Sequence, residues 1–310
     1  MRRLLPYIAV LLSMLIWSAS GIAVKEALVA LSPMTMIVIR FTLAVLLMLV
    51  VGLCARKSEM FRLQKVDKKD LPLFILGGIF QPFLYYILET FSYDALSSPT
   101  IAEALLSTSP VLAPFFAAAI LREHVTRYNI LGIIVSTVGM LLLVLVGASD
   151  FSIGNPWGIA CAFAAVSAAV LYTIVLRRIP PKYNPLTVVF YVQLSALVLF
   201  YPLCGFTDGV SGFAHLADVD TMQMWHSLAA VGYLALGASV VAFICFCYTV
   251  RVIGVTRTNA FNNVRPAFTA IWMLLFFGEQ LPWAKWLGIL LIIIGLFVCQ
   301  RHIPEPKHNV

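Results

Sequence analysis

The chain has 310 residues, 61% apolar and 11% charged, with a formal net charge of +7 and a mean hydropathy of +0.96. Soluble domains carry about a quarter charged residues and about half apolar ones, so this composition excludes that class and reads as an integral membrane protein. At roughly 20 apolar residues per crossing, the length allows about ten spans and no sizeable soluble domain beside them.

Hydropathy windows place the spans at 5–24, 33–54, 71–91, 98–120, 128–147, 157–177, 185–205, 227–249, 258–277 and 284–300. The first follows Arg2-Arg3 and contains Ser18-Ala19-Ser20, which imitates a secretory signal peptide. Nine further spans insert without it, so it is read as a retained span, carrying Trp17 and ending near Lys25. Arg40 lies in the second span, Gln81, Tyr85 and Tyr86 in the third, and Glu103 with Ser107 in the fourth, which Pro110 and Pro114 interrupt. Span seven holds Tyr191 and Gln193; span nine, broken by Pro266, holds Asn262, Asn263 and Arg265. With the N-terminus inside, 17 of the 21 lysines and arginines fall on the cytoplasmic side, and the long loop 206–226 has none. Both termini are therefore predicted cytoplasmic. The six cysteines lie in or beside apolar runs and form no secreted disulfide framework.

Residues 102–143 align without a gap on 258–299 at an offset of 156. The identities are Ala104/Ala260, Pro110/Pro266, Glu123/Glu279, Leu131-Gly132-Ile133/Leu287-Gly288-Ile289 and Gly139/Gly295. Proline, glutamate and glycine punctuate a membrane helix pair, so their coincidence weighs more than that of apolar filler. A unit of five spans is odd, and its second copy must cross in the opposite sense. The expectation is an all-α membrane protein of ten transmembrane helices, two inverted five-helix repeats over 1–150 and 151–310. That is a secondary-transporter design with a central site between the halves.

On these residues the chain resembles the EamA-type transporters of the drug/metabolite transporter superfamily. The pieces are Trp17-Ser18 with Lys25, Arg40-Phe41 with Ala44, and Ala104 through Pro110 to Leu121-Arg122-Glu123-His124, with Gly132 and Gly139. They recur as Pro266, Phe277-Gly278-Glu279-Gln280-Leu281 and Gly288. The resemblance covers 5–301 and departs at Ala168 and Ala169, where many members keep an aromatic. It implies a ten-helix transporter of small metabolites or drugs, most often an exporter in bacterial inner membranes, and a structural role for Arg40.

Among candidate site residues Arg265 carries most information. An arginine at the centre of a span costs about 2.5–3.5 kcal/mol on insertion scales. Thr258, Asn262, Arg265 and Thr269 share one helix face, and Pro266, which has no N–H, frees the carbonyl of Asn262. Arg265 either lines the site or pairs with Glu103. Glu103 either titrates and couples transport to protons or serves as partner of Arg265 or Arg40. Trp17, Gln81, Tyr85, Tyr86, Tyr191, Gln193 and Asn263 can offer hydrogen bonds and aromatic faces to an amphipathic substrate, or act as helix glue. Gly132/Gly139 and Gly288/Gly295 are read as packing residues. No phosphate loop, metalloprotease motif or aspartate pair appears, so no enzyme activity, cofactor, metal or nucleic acid is expected. The partners expected are a small-molecule substrate and the bilayer, with a homodimer left open. The reading is export of small amphipathic metabolites, amino acids or related compounds or drugs, by alternating access; import and a passive channel are the alternatives.

Overall fold

A computed structural model describes residues 4–55, 57–59, 61–96, 105–146, 155–208, 212, 220–277 and 282–300. Its helices are α1 (Leu5–Ala27), α2 (Pro33–Cys54), α3 (Leu71–Gly78), α4 (Tyr85–Ala95), α5 (Ser109–Leu121), α6 (Arg127–Leu145), α7 (Pro156–Arg178), α8 (Pro185–Thr207), α9 (Thr221–Tyr233), α10 (Ala242–Ile253), α11 (Val255–Ala260), α12 (Arg265–Phe277) and α13 (Trp283–Gln300). Wide π turns over Ile79–Leu84 and Leu234–Val241 join α3 to α4 and α9 to α10, and a 3-10 turn over Phe261–Val264 joins α11 to α12. Among the described residues seven helical stretches are long and apolar enough to cross a membrane, and Ser109–Leu121 and Arg127–Leu142 are shorter apolar helices. Large apolar side chains such as Leu46, Phe115, Phe206 and Phe297 stand exposed on the outside, as a multi-pass membrane protein requires.

Local chemistry sets the helix limits. Pro33, Pro156 and Pro185 open α2, α7 and α8 with a preset φ and no N–H to satisfy. Before them Ser32, Asn155 and Asn184 cap the orphan N–H groups of Thr35, Trp157 and Thr187. The eighth span, expected over 227–249, runs instead from Thr221 to Ile253. Asp220 caps it through the N–H of Gln223, and Gly254 ends it at φ +89°.

Helix pairings return to themselves when the halves are exchanged. α1 packs on α9 and α10 as α7 packs on α3 and α4; α5 on α7 matches α12 on α1; and α2–α8 and α6–α13 pair counterpart with counterpart. Adding 156 to the π segment Ile79–Leu84 gives 235–240, inside the π segment Leu234–Val241. Along α6 and α13, Gly132 lies against the carbonyl of Gly295 and Gly139 against that of Gly288, a reciprocal set under the same offset. A Cβ at Gly132, Gly139 or Gly295 would strike the backbone of the facing helix, so the helices meet backbone to backbone as the repeated glycines predict.

The ends of the bundle close differently. Call proximal the end where α1 begins. There Asn184 donates to the carbonyls of Glu59 and Arg62, and Gln64 bridges the N–H of Asn184 and the carbonyl of Lys182. Lys182 pairs with Asp67 and Asp70 at 2.5 and 2.9 Å, and the Tyr183 hydroxyl donates to Asp70 at 2.7 Å. Lys182 and Tyr183 hold Asp70 below the usual carboxylate range. At the distal end, among the described residues, the Asp208 carboxylate accepts from the Ser32 hydroxyl and from the N–H and hydroxyl of Thr35 at 3.0 and 3.3 Å. Burial pushes Asp208 up, but these hydrogen bonds outweigh it and leave it lowered.

Candidate functional site

The π segment of the eighth span is where the described polar side chains converge. A π turn takes backbone carbonyls out of the i→i−4 ladder. The Trp17 indole donates to the carbonyl of Ala238 at 3.0 Å, the Gln193 amide to that of Ser239 at 2.5 Å, and the Ser13 hydroxyl to that of Ala242 at 3.0 Å. Arg40 donates its Nε to the Ser239 hydroxyl at 2.7 Å. Side chains from α1, α2 and α8 thus meet on one break, and Trp17 packs edge-on to Phe243 and against Phe246.

Arg40 is 3% exposed. Its guanidinium carbon lies 5.3 Å from the ring centroids of both Phe41 and Tyr86. The Tyr86 hydroxyl is within hydrogen-bonding reach of Arg40 and within electrostatic reach of Glu89 and Arg265. Tyr85 meets Tyr86 edge to face at 5.5 Å and donates to Glu89 at 3.0 Å. The described residues thus gather Arg40, Tyr85, Tyr86, Trp17 and Gln193 round one region. Gln81 sits half-buried in the other π segment with extended backbone, φ −150° and ψ 121°. Tyr191 packs edge-on to Phe74 and Phe190. Glu103 lies outside the described residues.

The ninth span corrects one expectation. A straight helix would leave the Asn262 carbonyl open before Pro266; the 3-10 turn lets the N–H of Arg265 take it. The same turn bends the stripe of polar residues. Thr258 bonds back to Gly254, Asn262 donates to Ser109 of α5 at 3.1 Å, and Thr269 donates to the carbonyl of Ser18 in α1 at 3.1 Å. Asn263 turns to Ser136 and Thr137 of α6, at 2.8 and 3.3 Å, and Arg265 is half-buried. Asn259, which the sequence reading passed over, joins Thr173 at 3.2 Å.

Three further residues carry weight that sequence reasoning missed. Ser239 is an ordinary serine in an apolar run, and only the break it occupies gives it two polar partners. Glu89, two residues inside the expected end of span three, accepts from Tyr85 and is not among the candidate residues. Glu123 was read as turn punctuation, yet its carboxylate accepts from Val255 N–H at 2.9 Å and from the N–H and hydroxyl of Thr256 at 3.3 and 3.1 Å, capping α11. A Cβ on Gly254 would meet that carboxylate at 2.8 Å. The signal available was the adjacency of Gly254 to the start of a polar-edged helix.

Comparison with known proteins follows this geometry. An uncharacterized transporter of Archaeoglobus fulgidus is 22% identical over 295 residues, 95% of this chain and 98% of its own. A Chlamydia trachomatis protein named S-adenosylmethionine/S-adenosylhomocysteine transporter is 24% identical, with 92% and 86% covered. A solved crystal structure superposes with a TM-score of 0.76 at 20% identity, covering 96% of both chains, and is similar in fold. The EamA-like transporter family matches twice, over residues 4–145 and 156–300, and this chain belongs to that family.

Proposed function

We propose that the protein is a secondary active transporter of ten transmembrane helices, two inverted repeats over 1–150 and 151–310, that exports small amphipathic metabolites by alternating access. Both termini are placed in the cytoplasm of a bacterial cell, on the distribution of lysine and arginine. The observation that carries the reading is the exchange symmetry of packing: helix pairings, both π segments and the reciprocal glycine contacts follow one offset. Two halves so related can interchange their conformations, opening a central site first to one side and then to the other. Arg265, Asn262 and Asn263 from span nine, with Trp17, Gln81, Tyr85, Tyr86, Tyr191 and Gln193, supply the site, and Glu103 carries the coupling proton. The relative named for S-adenosylmethionine and S-adenosylhomocysteine supports amino-acid-derived substrates.

The test is a metabolite screen in proteoliposomes with an imposed proton gradient. Saturable, gradient-accelerated flux of a carboxylated substrate is expected; flux linear in concentration with no saturation would instead indicate a channel. Arg265→Met should abolish flux of the carboxylated substrate while the protein still folds, and Arg265→Lys should retain part of it, because lysine keeps the charge and loses the fork. Unchanged affinity in a well-folded Arg265→Met variant would remove Arg265 from the site. Unchanged acceleration by the gradient in Glu103→Gln would remove Glu103 from coupling.

A further inference from the structure

Arg40 stands seven residues into α2, about 10 Å along the helix axis, and is 3% exposed. What surrounds it is neutral: the Ser239 hydroxyl on Nε, and the rings of Phe41 and Tyr86. Among the described residues the ion pairs are those of Lys182 with Asp67 and Asp70, and none involves Arg40. A guanidinium carries five N–H donors in a planar fork suited to a carboxylate. Ser239 takes one of them, and the Tyr86 hydroxyl lies within reach of another.

Gln193 is incomplete in the complementary sense. It is fully buried, its Nε2 donates to the backbone carbonyl of Ser239, and its Oε1 has no hydrogen-bond partner among the described residues. A buried acceptor left without a donor is unfavourable. A cation short of an anion and an acceptor short of a donor are therefore fixed to the two polar groups of one residue. That residue sits in a helix break between α2 of one half and α8 of the other.

We infer that Arg40, Ser239 and Gln193 form a subsite for a carboxylate bearing a hydrogen-bond donor on the adjacent carbon, an α-amino or α-hydroxy acid. The carboxylate takes the guanidinium fork, and the ammonium or hydroxyl donates to Gln193 Oε1. Phe41, Tyr86 and Trp17 wall the group. The subsite rests on the transporter reading and gives Arg40 a ligand-binding role in place of membership in a structural ion pair.

The experiment is equilibrium binding to the purified full-length protein in detergent, which needs no gradient. The twenty proteinogenic amino acids are screened by thermal stabilisation at millimolar concentration. The best is then compared with its 2-hydroxy acid, its desamino acid and its decarboxylated amine. The desamino acid should bind about tenfold more weakly than the amino acid, as loss of one hydrogen bond with a charged partner implies. Gln193→Met should bring the amino acid down to the desamino level without weakening the desamino acid, and Arg40→Lys should weaken all three acids and leave the amine unchanged. Retained binding of the 2-hydroxy acid identifies any α-donor as sufficient; its loss narrows the subsite to ammonium. Stabilisation by none of the twenty, or acids bound by both folded variants at wild-type affinity, would overturn the subsite. If Arg40→Lys does not fold, the Gln193→Met comparison decides alone. Binding with this pattern but no flux in proteoliposomes would refute transport and leave the subsite standing; flux with both variants unchanged would do the reverse.

Discussion

The two ends of the α2–α8 pair begin from the same local design and finish differently. Ser32-Pro33-Met34-Thr35 and Asn184-Pro185-Leu186-Thr187 are each a capping residue, a proline, an apolar residue and a threonine. Each N-terminus is closed by the loop that leaves the partner helix. At the proximal end the closure is spread over Gln64, Lys182, Tyr183, two aspartates and the carbonyls of Glu59 and Arg62. At the distal end the described residues centre the closure on one carboxylate, Asp208, with the N–H of Ser32 donating to the Gly212 carbonyl and the Thr35 hydroxyl against the Cys204 thiol. A distributed closure tolerates the loss of one member, whereas a single carboxylate does not.

Four substitutions or conditions can break or sharpen this contrast. The largest effect is expected outside the α2–α8 closure, from Glu123→Ala, a second single-carboxylate cap that accepts three hydrogen bonds at the start of α11; removing it should cost about 2 kcal/mol and lower the thermal midpoint clearly. A midpoint equal to wild type would show that α11 is held by packing alone. Next comes Asp208→Ala, which strips the distal cap; about 1 kcal/mol is expected, with amide exchange rising over 32–36 and remaining unchanged over 62–70. Equal rises at both ends would erase the distinction.

Acid comes third. The carboxyl of Asp208 is lowered in the folded protein, so its contribution is fully present above the unfolded value of about 3.9 and is lost as pH falls through the lower folded value. Asp70 behaves in the same sense. Amide exchange over 32–36 should therefore rise only below about pH 4, and Asp208→Asn should remove that step while leaving the Asp70 region titrating. The smallest effect belongs to Lys182→Met or to raised salt. The Lys182 and Asp67 side chains are 45% and 54% exposed, so their pairing is screened and weak. A loss as large as that of Asp208→Ala would mean the proximal network is not redundant.

How much of this was legible depended on the range of the interaction. The membrane class, most span positions and the glycine seam follow from local composition and a repeat that proline and glycine mark. The limits of the eighth span did not: its Asp220 cap lies in an acidic loop read only for charge, and nothing in Leu234–Val241 announces a π turn, since the segment has no proline. The candidate residues were singled out within single spans, Arg265 by the cost of burying its charge and Gln193 by its capacity to hydrogen-bond, and such a reading stays local. It could not find their partners, because Arg40 meets Ser239 across 199 residues and Gln193 meets it through a backbone carbonyl that any residue would offer. The carbonyl before Pro266 shows the opposite failure. Proline does free it, but a tighter turn re-used it one residue earlier.

The seam between α6 and α13 has a consequence of another kind. Where Gly132, Gly139, Gly288 and Gly295 meet, the touching groups are peptide units. A peptide unit has no proton to gain near neutral pH, no sulfur to oxidise and no hydroxyl to modify, so at these points of closest approach the alterable groups are those packed beside them, the Ser136 hydroxyl and the Cys299 thiol. The closest backbone contacts of this seam are therefore constant across changing environments, and a signal that adjusts it has to act through the side chains around them, Asn129, Ser136 and Cys299.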